Sequence, residues 1–175
     1  MSNHYNSEDE IAAVVQGFES CTTAASDFTH RAHVTVAVWY LSRGSIAEAL
    51  EQMRASLFRF LDYHQVDRMK YHETLTVFWL KLVRQQMDEQ DTADSLLDLT
   101  NELLEILGSA AVVHDYYSQE RLWSDEARRK WLEPDRRQLD PVANQSNCVR
   151  QLMVSVGTPD RESVAGRNEK SICDD

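Results

Sequence analysis

Three histidines and one glutamate are the residues whose types and spacing could do chemistry in this chain. His30 and His33 are three residues apart, which places both imidazoles on one face if the stretch is helical. His72 and Glu73 are adjacent, at the start of an apolar stretch. Burying ionisable groups in such a stretch costs free energy unless they are paired, hydrogen-bonded or bound to metal. These four residues therefore define a candidate site.

Imidazoles beside a carboxylate are typical ligands of divalent transition metals such as zinc, iron, copper or nickel. We predict that His30, His33 and His72 bind one such ion and leave a position open for water or substrate. Glu73 would be the general base or a fourth ligand. Two known motifs are excluded, because Thr76 replaces the second histidine of H-E-x-x-H and no E-x-x-H pair of the di-iron type is present.

Structural interpretations of the same residues stay open. His33 could be a core histidine bonded to a neighbour, and His64 could interact with the dipole of a helix end. His114 and Asp115 could form a local surface pair, and Glu73 could form an ion pair. The arginines that could neutralise Glu73 are Arg31, Arg54 and Arg68.

Hydrophobic periodicity predicts an all-α fold, an up-down helical bundle of about five main helices followed by short C-terminal helices. The predicted helices are 7–18, 29–43, 45–64, 69–89 and one capped by Asp91 or Thr92 that ends at Gly108. A short helix is predicted over 110–117, and Ser118 and Ser124 are placed to cap two more. The fourth helix is apolar nearly all round, so we expect it in the middle of the bundle with Trp79 buried.

An up-down bundle brings most of the histidines to one end. Short links favour antiparallel neighbours, so the starts of helices two and four lie beside the ends of helices three and five. Five of the six histidines would then meet there, and only His4 lies elsewhere. The residues expected to surround the site are His64, Tyr71, Thr76, His114, Tyr116 and Tyr117. Of the aromatic residues at this end, Tyr71, Tyr116, Tyr117 and Trp123 could line a small-molecule pocket.

Composition limits the partners of the 175-residue chain. Its net charge of −11 argues against nucleic acid or an anionic membrane surface. No apolar run is long enough to span a bilayer, and the start lacks a signal peptide. Three cysteines without metal-type spacing also suit a cytoplasmic protein. We predict a helical bundle domain over 1–134 and a polar, mostly flexible, largely disordered tail over 135–175.

Two segments form a distinctive pair, Phe28-Thr29-His30-Arg31-Ala32-His33-Val34 and Tyr71-His72-Glu73-Thr74-Leu75-Thr76. Together with Tyr116-Tyr117-Ser118 and Pro134-Asp135, they resemble a group of small, all-helical bacterial proteins of unassigned function. The resemblance covers residues 8 to 135 and leaves out the tail. It implies a site that includes the histidines of the first segment and the His-Glu pair of the second, and it names no reaction.

Three functions fit these residues. The first is a small metal-dependent enzyme acting on a small, aromatic molecule in secondary or detoxifying metabolism. The second is a non-enzymatic module that binds a metal or a ligand, as a sensor does. The third is an interaction subunit whose bundle face pairs with a partner or with itself as a homo-oligomer. A small-molecule ligand is the expected partner in the first two.

Overall fold

Eight α-helices and two 3-10 turns make up the part of the chain that the structure describes, residues 4–90 and 93–139 of a computed structural model. The five long helices are α1 (Glu8–Glu19), α2 (His30–Leu41), α3 (Ile46–Tyr63), α4 (Glu73–Glu89) and α5 (Leu96–Leu107). The short ones are α6 (Val113–Tyr116), α7 (Gln119–Leu122) and α8 (Asp125–Arg129), and the 3-10 turns are Arg68–Lys70 and Ala110–Val112. None of the helices described is both long and apolar enough to cross a bilayer. The predicted all-α bundle of five main helices is confirmed.

Serine caps set where several helices begin, as the sequence predicts. The Ser45 side chain accepts from the backbone N–H of Glu48, whose carboxylate accepts from the N–H of Ser45, so the two residues form a capping box. Ser7 caps α1 by accepting from the N–H of Glu10. Ser118 and Ser124 cap α7 and α8 in the same way.

Two helices begin later than predicted. Helix α5 begins at Leu96, because the Ser95 side chain accepts from the N–H of Asp98 at 3.1 Å. The caps predicted at positions 91 and 92 lie outside the described residues. Helix α4 begins at Glu73 rather than Met69, because the extended backbone of His72 separates it from the preceding 3-10 turn.

Helices α2 and α4 share the centre of the bundle. Helix α2 packs against α1, α3, α4 and α5, and α4 packs against α2, α3, α5 and α8. Within α4, Phe78 is fully buried. The expectation that Trp79 is buried is wrong: it is only half-buried, because it packs against the edge of the core.

The chain after α8 returns to the bundle through hydrogen bonds. The Thr74 hydroxyl donates to the carbonyl of Lys130 at 2.7 Å and accepts from the N–H of Leu132 at 3.1 Å. The Asp135 carboxylate accepts from both the N–H and the hydroxyl of Ser118. Leu139 also packs against the core, so contacts continue past the predicted boundary after residue 134. The rest of the predicted tail, from 140 onward, lies outside the described residues.

Adjacent aromatic residues in α4 should differ in their contribution to stability. Phe78→Ala should lower the free energy of unfolding by about 3–5 kcal/mol, as large aromatic truncations in a core do. Trp79→Ala should cost less, because part of its surface is exposed in the native state. Urea denaturation of both variants measures the difference. An equal or larger loss for Trp79→Ala would contradict the positions given to the two rings.

Candidate functional site

A cavity of about 690 Å³ opens between α2, α3, α4 and the segment 110–123. Its volume lies within the range of about 300–1,000 Å³ that is typical of small-molecule sites. The apolar and aromatic residues that line it are Ala25, Phe28, Ala37, Met53, Leu57, Phe60, Leu61, Val66, Leu75, Trp79, Leu80, Ala110, Ala111, Val113 and Trp123. The polar ones are His30, His33, Lys70, Tyr71, His72, Thr76 and His114. The cavity is therefore mainly apolar, with imidazoles as its most frequent polar groups.

Six of the ten residues predicted for the site line this cavity. They are His30, His33, Tyr71, His72, Thr76 and His114. Glu73, His64, Tyr116 and Tyr117 do not line it. The structure thus brings four histidines from α2, the start of α4 and α6 to one place, while their individual roles depend on the hydrogen bonds that each makes.

His72 uses both ring nitrogens inside the protein. Its Nε2–H donates to the carbonyl of Leu122, the last residue of α7, at 2.8 Å. Its Nδ1 accepts from the N–H of Leu75 at 3.3 Å, so the imidazole also caps α4. Burial lowers the pKa of His72, and the charge of Arg128 lowers it further, against the opposite effect of the Leu122 bond. The prediction that His72 is a metal ligand is not supported, because neither nitrogen has a free lone pair.

His30 and His33 each use one ring nitrogen. His30 Nε2–H donates to the carbonyl of Leu107, the last residue of α5, at 2.8 Å. His33 Nδ1–H donates to the carbonyl of Thr29, one turn earlier, at 2.9 Å. Burial lowers the pKa of His33, the bond to Thr29 opposes this, and the proximity of His30 adds to the lowering. A neutral His33 therefore keeps Nε2 as a hydrogen-bond acceptor.

Glu73 forms an ion pair with Arg54 of α3 and also accepts a hydrogen bond from the Tyr71 hydroxyl. Burial raises the pKa of the Glu73 carboxyl, but the hydrogen bonds from Arg54 and Tyr71 outweigh it, and the pKa is lowered overall. Burial of the Tyr71 hydroxyl, together with its hydrogen bond to the negatively charged Glu73 carboxylate, raises the pKa of Tyr71 to about 12. Among the alternatives, pairing of Glu73 with an arginine is therefore the one observed, and its predicted role as general base is not supported.

The predicted metal ligands do not form one coordination site. Within residues 4–90 and 93–139, no group of three or more His, Cys, Asp or Glu residues is placed to hold a metal ion. The physical reason is that His30 and His72 direct their Nε2–H groups to helix-end carbonyls, while Glu73 is neutralised by Arg54. The prediction of bound zinc, iron, copper or nickel therefore finds no support in the donor geometry.

The remaining predicted residues are structural or lie at the edge of the cavity. His64 ends α3, and its ring packs on Phe60 at 4.4 Å. Tyr117 is fully buried and donates to the carbonyl of Leu132 at 2.7 Å, and Tyr116 is also buried in the core. His114 lines the cavity with its Nδ1 buried and without a hydrogen-bond partner.

Sequence reasoning anticipated Tyr71 and Trp123 in the cavity lining but missed other aromatic residues and the charged one. Phe28 packs on the His33 ring at 4.1 Å, and Trp79 packs on the His30 ring at 4.5 Å. Lys70 is the single charged side chain among the described lining residues, and none of them is acidic. The available signal was the position of Phe28 and Lys70 within three residues of predicted site histidines.

Comparisons of the chain with protein-family models, with curated proteins and with solved structures found no match in any of the three. The resemblance to small helical bacterial proteins, the bacterial origin and the cytoplasmic location therefore stay predictions from the sequence.

Replacing His72 should destabilise the fold. His72→Leu leaves the Leu122 carbonyl and the Leu75 N–H without partners, and each buried unpaired group costs about 1–3 kcal/mol. His72→Asn is the matched control, since asparagine is a good N-cap but is too short to replace both bonds. We expect urea midpoints in the order wild type, His72→Asn, His72→Leu. An unchanged midpoint for His72→Leu would refute the structural role.

Stability should fall in mild acid because of His33 and His72. Both imidazoles have a folded-state pKa below the ordinary value of 6.5, so the unfolded chain binds their protons more readily. Their contribution is fully present above pH 6.5 and is lost as pH falls from there toward the folded-state pKa values. The urea midpoint measured between pH 8 and pH 5 should fall with pH. In His72→Leu the midpoint should depend less steeply on pH, because one of the two imidazoles is gone. A midpoint that rises on acidification would contradict the assignment.

Proposed function

We propose that this protein binds a small, flat, mainly apolar organic molecule in the cavity between α2, α3 and α4. The observation that carries the proposal is the cavity itself, about 690 Å³ with a mainly apolar and aromatic lining and a few polar groups. An apolar cavity with a small number of converging polar groups is the usual form of a ligand site in proteins. Apolar contacts would supply most of the binding free energy.

The rings of the lining favour an aromatic ligand. Phe28, Phe60, Trp79 and Trp123 all line the cavity, together with the imidazoles that pack on three of them. Aromatic pairs in offset or edge-to-face arrangements contribute about 0.5–1.5 kcal/mol beyond the burial of their area. A planar ligand could form several such pairs at once.

The charge of the lining favours a neutral or anionic ligand over a cation. Lys70 is the charged side chain at this cavity, and the lining residues described include no carboxylate that could neutralise a buried cation. The contrast with a net charge of −11 over the chain supports this selectivity. Desolvating an unpaired ammonium group in such a cavity would cost several kcal/mol.

Catalysis at His33 is a second candidate function. Its Nδ1–H is fixed by the Thr29 carbonyl, and its Nε2 keeps a free lone pair at the cavity. That arrangement, an imidazole held in one tautomer by a backbone acceptor, is typical of a general base. A neutral His33 would accept a proton from a bound ligand without help from Glu73.

Binding of an apolar fluorescent probe, 1-anilinonaphthalene-8-sulfonate, tests the proposal. Saturable binding with quenching of tryptophan fluorescence is expected, since Trp79 and Trp123 line the cavity. Ala111→Phe should weaken binding about tenfold or more, because Ala111 is exposed at the cavity lining and a larger side chain there fills ligand space without disturbing the core.

Ala47→Phe is the matched control, because Ala47 is exposed on α3 and does not line the cavity. It should bind the probe as the wild type does. Equal binding by wild type, Ala111→Phe and Ala47→Phe would show that the dye binds elsewhere on the surface. That result, or the absence of saturable binding to the wild type, would refute the proposed function.

A further inference from the structure

We propose that His30 and His33 recognise a hydroxyl group on the ligand, so that the cavity selects hydroxylated aromatic compounds over aromatic compounds without a hydrogen-bond donor. This inference rests on the proposed function, because it specifies the chemistry of the molecule bound in the same cavity. The evidence for it is the tautomer of each imidazole and the ring nitrogen that each leaves without a hydrogen bond.

Backbone carbonyls fix the tautomer of each ring. A carbonyl can only accept, so the nitrogen that contacts Leu107 in His30 and the one that contacts Thr29 in His33 must each carry the proton. In the neutral ring the opposite nitrogen, Nδ1 of His30 and Nε2 of His33, is then an acceptor. Neither of these two nitrogens has a hydrogen-bond partner among the described residues.

Aromatic contacts hold the two acceptors in place. The His30 ring packs on Trp79 with 4.5 Å between centroids, and the His33 ring packs on Phe28 with 4.1 Å. Both histidines lie in the first turn of α2, which packs against four other helices. Acceptors that are already fixed lose little entropy when they bind a donor, so they can discriminate between ligands.

The hydroxyl groups of the lining donate elsewhere. Tyr71 donates to the Glu73 carboxylate, and Thr76 donates to the carbonyl of His72 at 3.1 Å. The Nε2–H of His72 is likewise used by Leu122. None of these donors therefore bonds the free nitrogens of His30 and His33, and a ligand hydroxyl can supply the donor that they lack.

An aromatic ligand without a donor would cover these acceptors and leave them unpaired. Unpaired buried polar groups are the strongest source of discrimination between similar ligands, because the cost of removing them from water is not recovered. A ligand hydroxyl that donates to either nitrogen recovers this desolvation cost. A cavity lacking free acceptors would instead prefer the more apolar ether or hydrocarbon, since a buried hydroxyl would itself lack a partner.

The test compares three probes of nearly equal size by tryptophan quenching and calorimetry: 1-naphthol, 1-methoxynaphthalene and naphthalene. We expect wild-type protein to bind 1-naphthol about tenfold more tightly than either of the others, the effect of one well-placed hydrogen bond. In the double variant His30→Phe/His33→Phe the two rings keep their aromatic contacts, but both acceptors are lost. The preference should fall to about twofold or less, with naphthalene binding kept.

His4→Gln is the control, because it removes an imidazole that does not line the cavity and should keep the full preference. Binding of all three probes with equal affinity, or preference for the ether, would overturn the inference and leave the proposed function standing. Failure of all three to bind would overturn both. A preference for naphthol that survives in the double phenylalanine variant would overturn the assignment to His30 and His33. If a variant fails to fold, the wild-type series still decides whether a hydroxyl is selected.

Discussion

The junction at His72 is the interaction on which this end of the bundle depends. One imidazole accepts from the N–H of Leu75, which caps α4, and donates to the carbonyl of Leu122, which ends α7. Thr74, two residues later, holds the segment at 130–132 against α4. Helix α7 has only four residues and cannot be stable alone, so its position comes from such tertiary bonds. The junction also fixes one wall of the cavity, because the segment 110–123, which His72 holds through Leu122, forms part of the lining.

Helix ends explain why histidines collect here. The last carbonyls of a helix have no partner within the helix, and an imidazole N–H is a suitable donor for them. His72 bonds the last residue of α7, and His30 bonds the last residue of α5 in the same way. In an up-down bundle the helix termini lie at its two ends, so histidines that bond terminal carbonyls lie close together there. The same clustering is what a metal site requires, and the sequence alone does not distinguish the two.

The parts of this structure that sequence reasoning anticipated depend on local patterns. Helical periodicity predicted the fold, and Ser118 and Ser124 were recognised as caps of α7 and α8. The short links predicted that His30, His33, His72 and His114 approach one another. The parts that it missed depend on contacts between distant residues. The partner of His72 is 50 residues away and that of His30 is 77 residues away, and no periodicity marks either pair. For that reason the sequence could not show that these histidines bond helix-end carbonyls, and the predicted ligand roles find no support in the described residues.

In the proposed site, the two ring nitrogens of His30 and of His33 have different roles, one structural and one in recognition. In His30 and His33, which both line the cavity, the protonated nitrogen bonds the backbone and the other nitrogen has no hydrogen-bond partner among the described residues. His72 has no such division, because both of its nitrogens maintain the fold. Histidines that line the same cavity can therefore differ in role. A histidine whose second nitrogen accepts from a helix N–H is structural, and one whose second nitrogen is unbonded can bind a ligand. By that criterion we expect the residues that contact a ligand in the proposed site to lie on α2, while the His-Glu pair that begins α4 holds the helices around them in place.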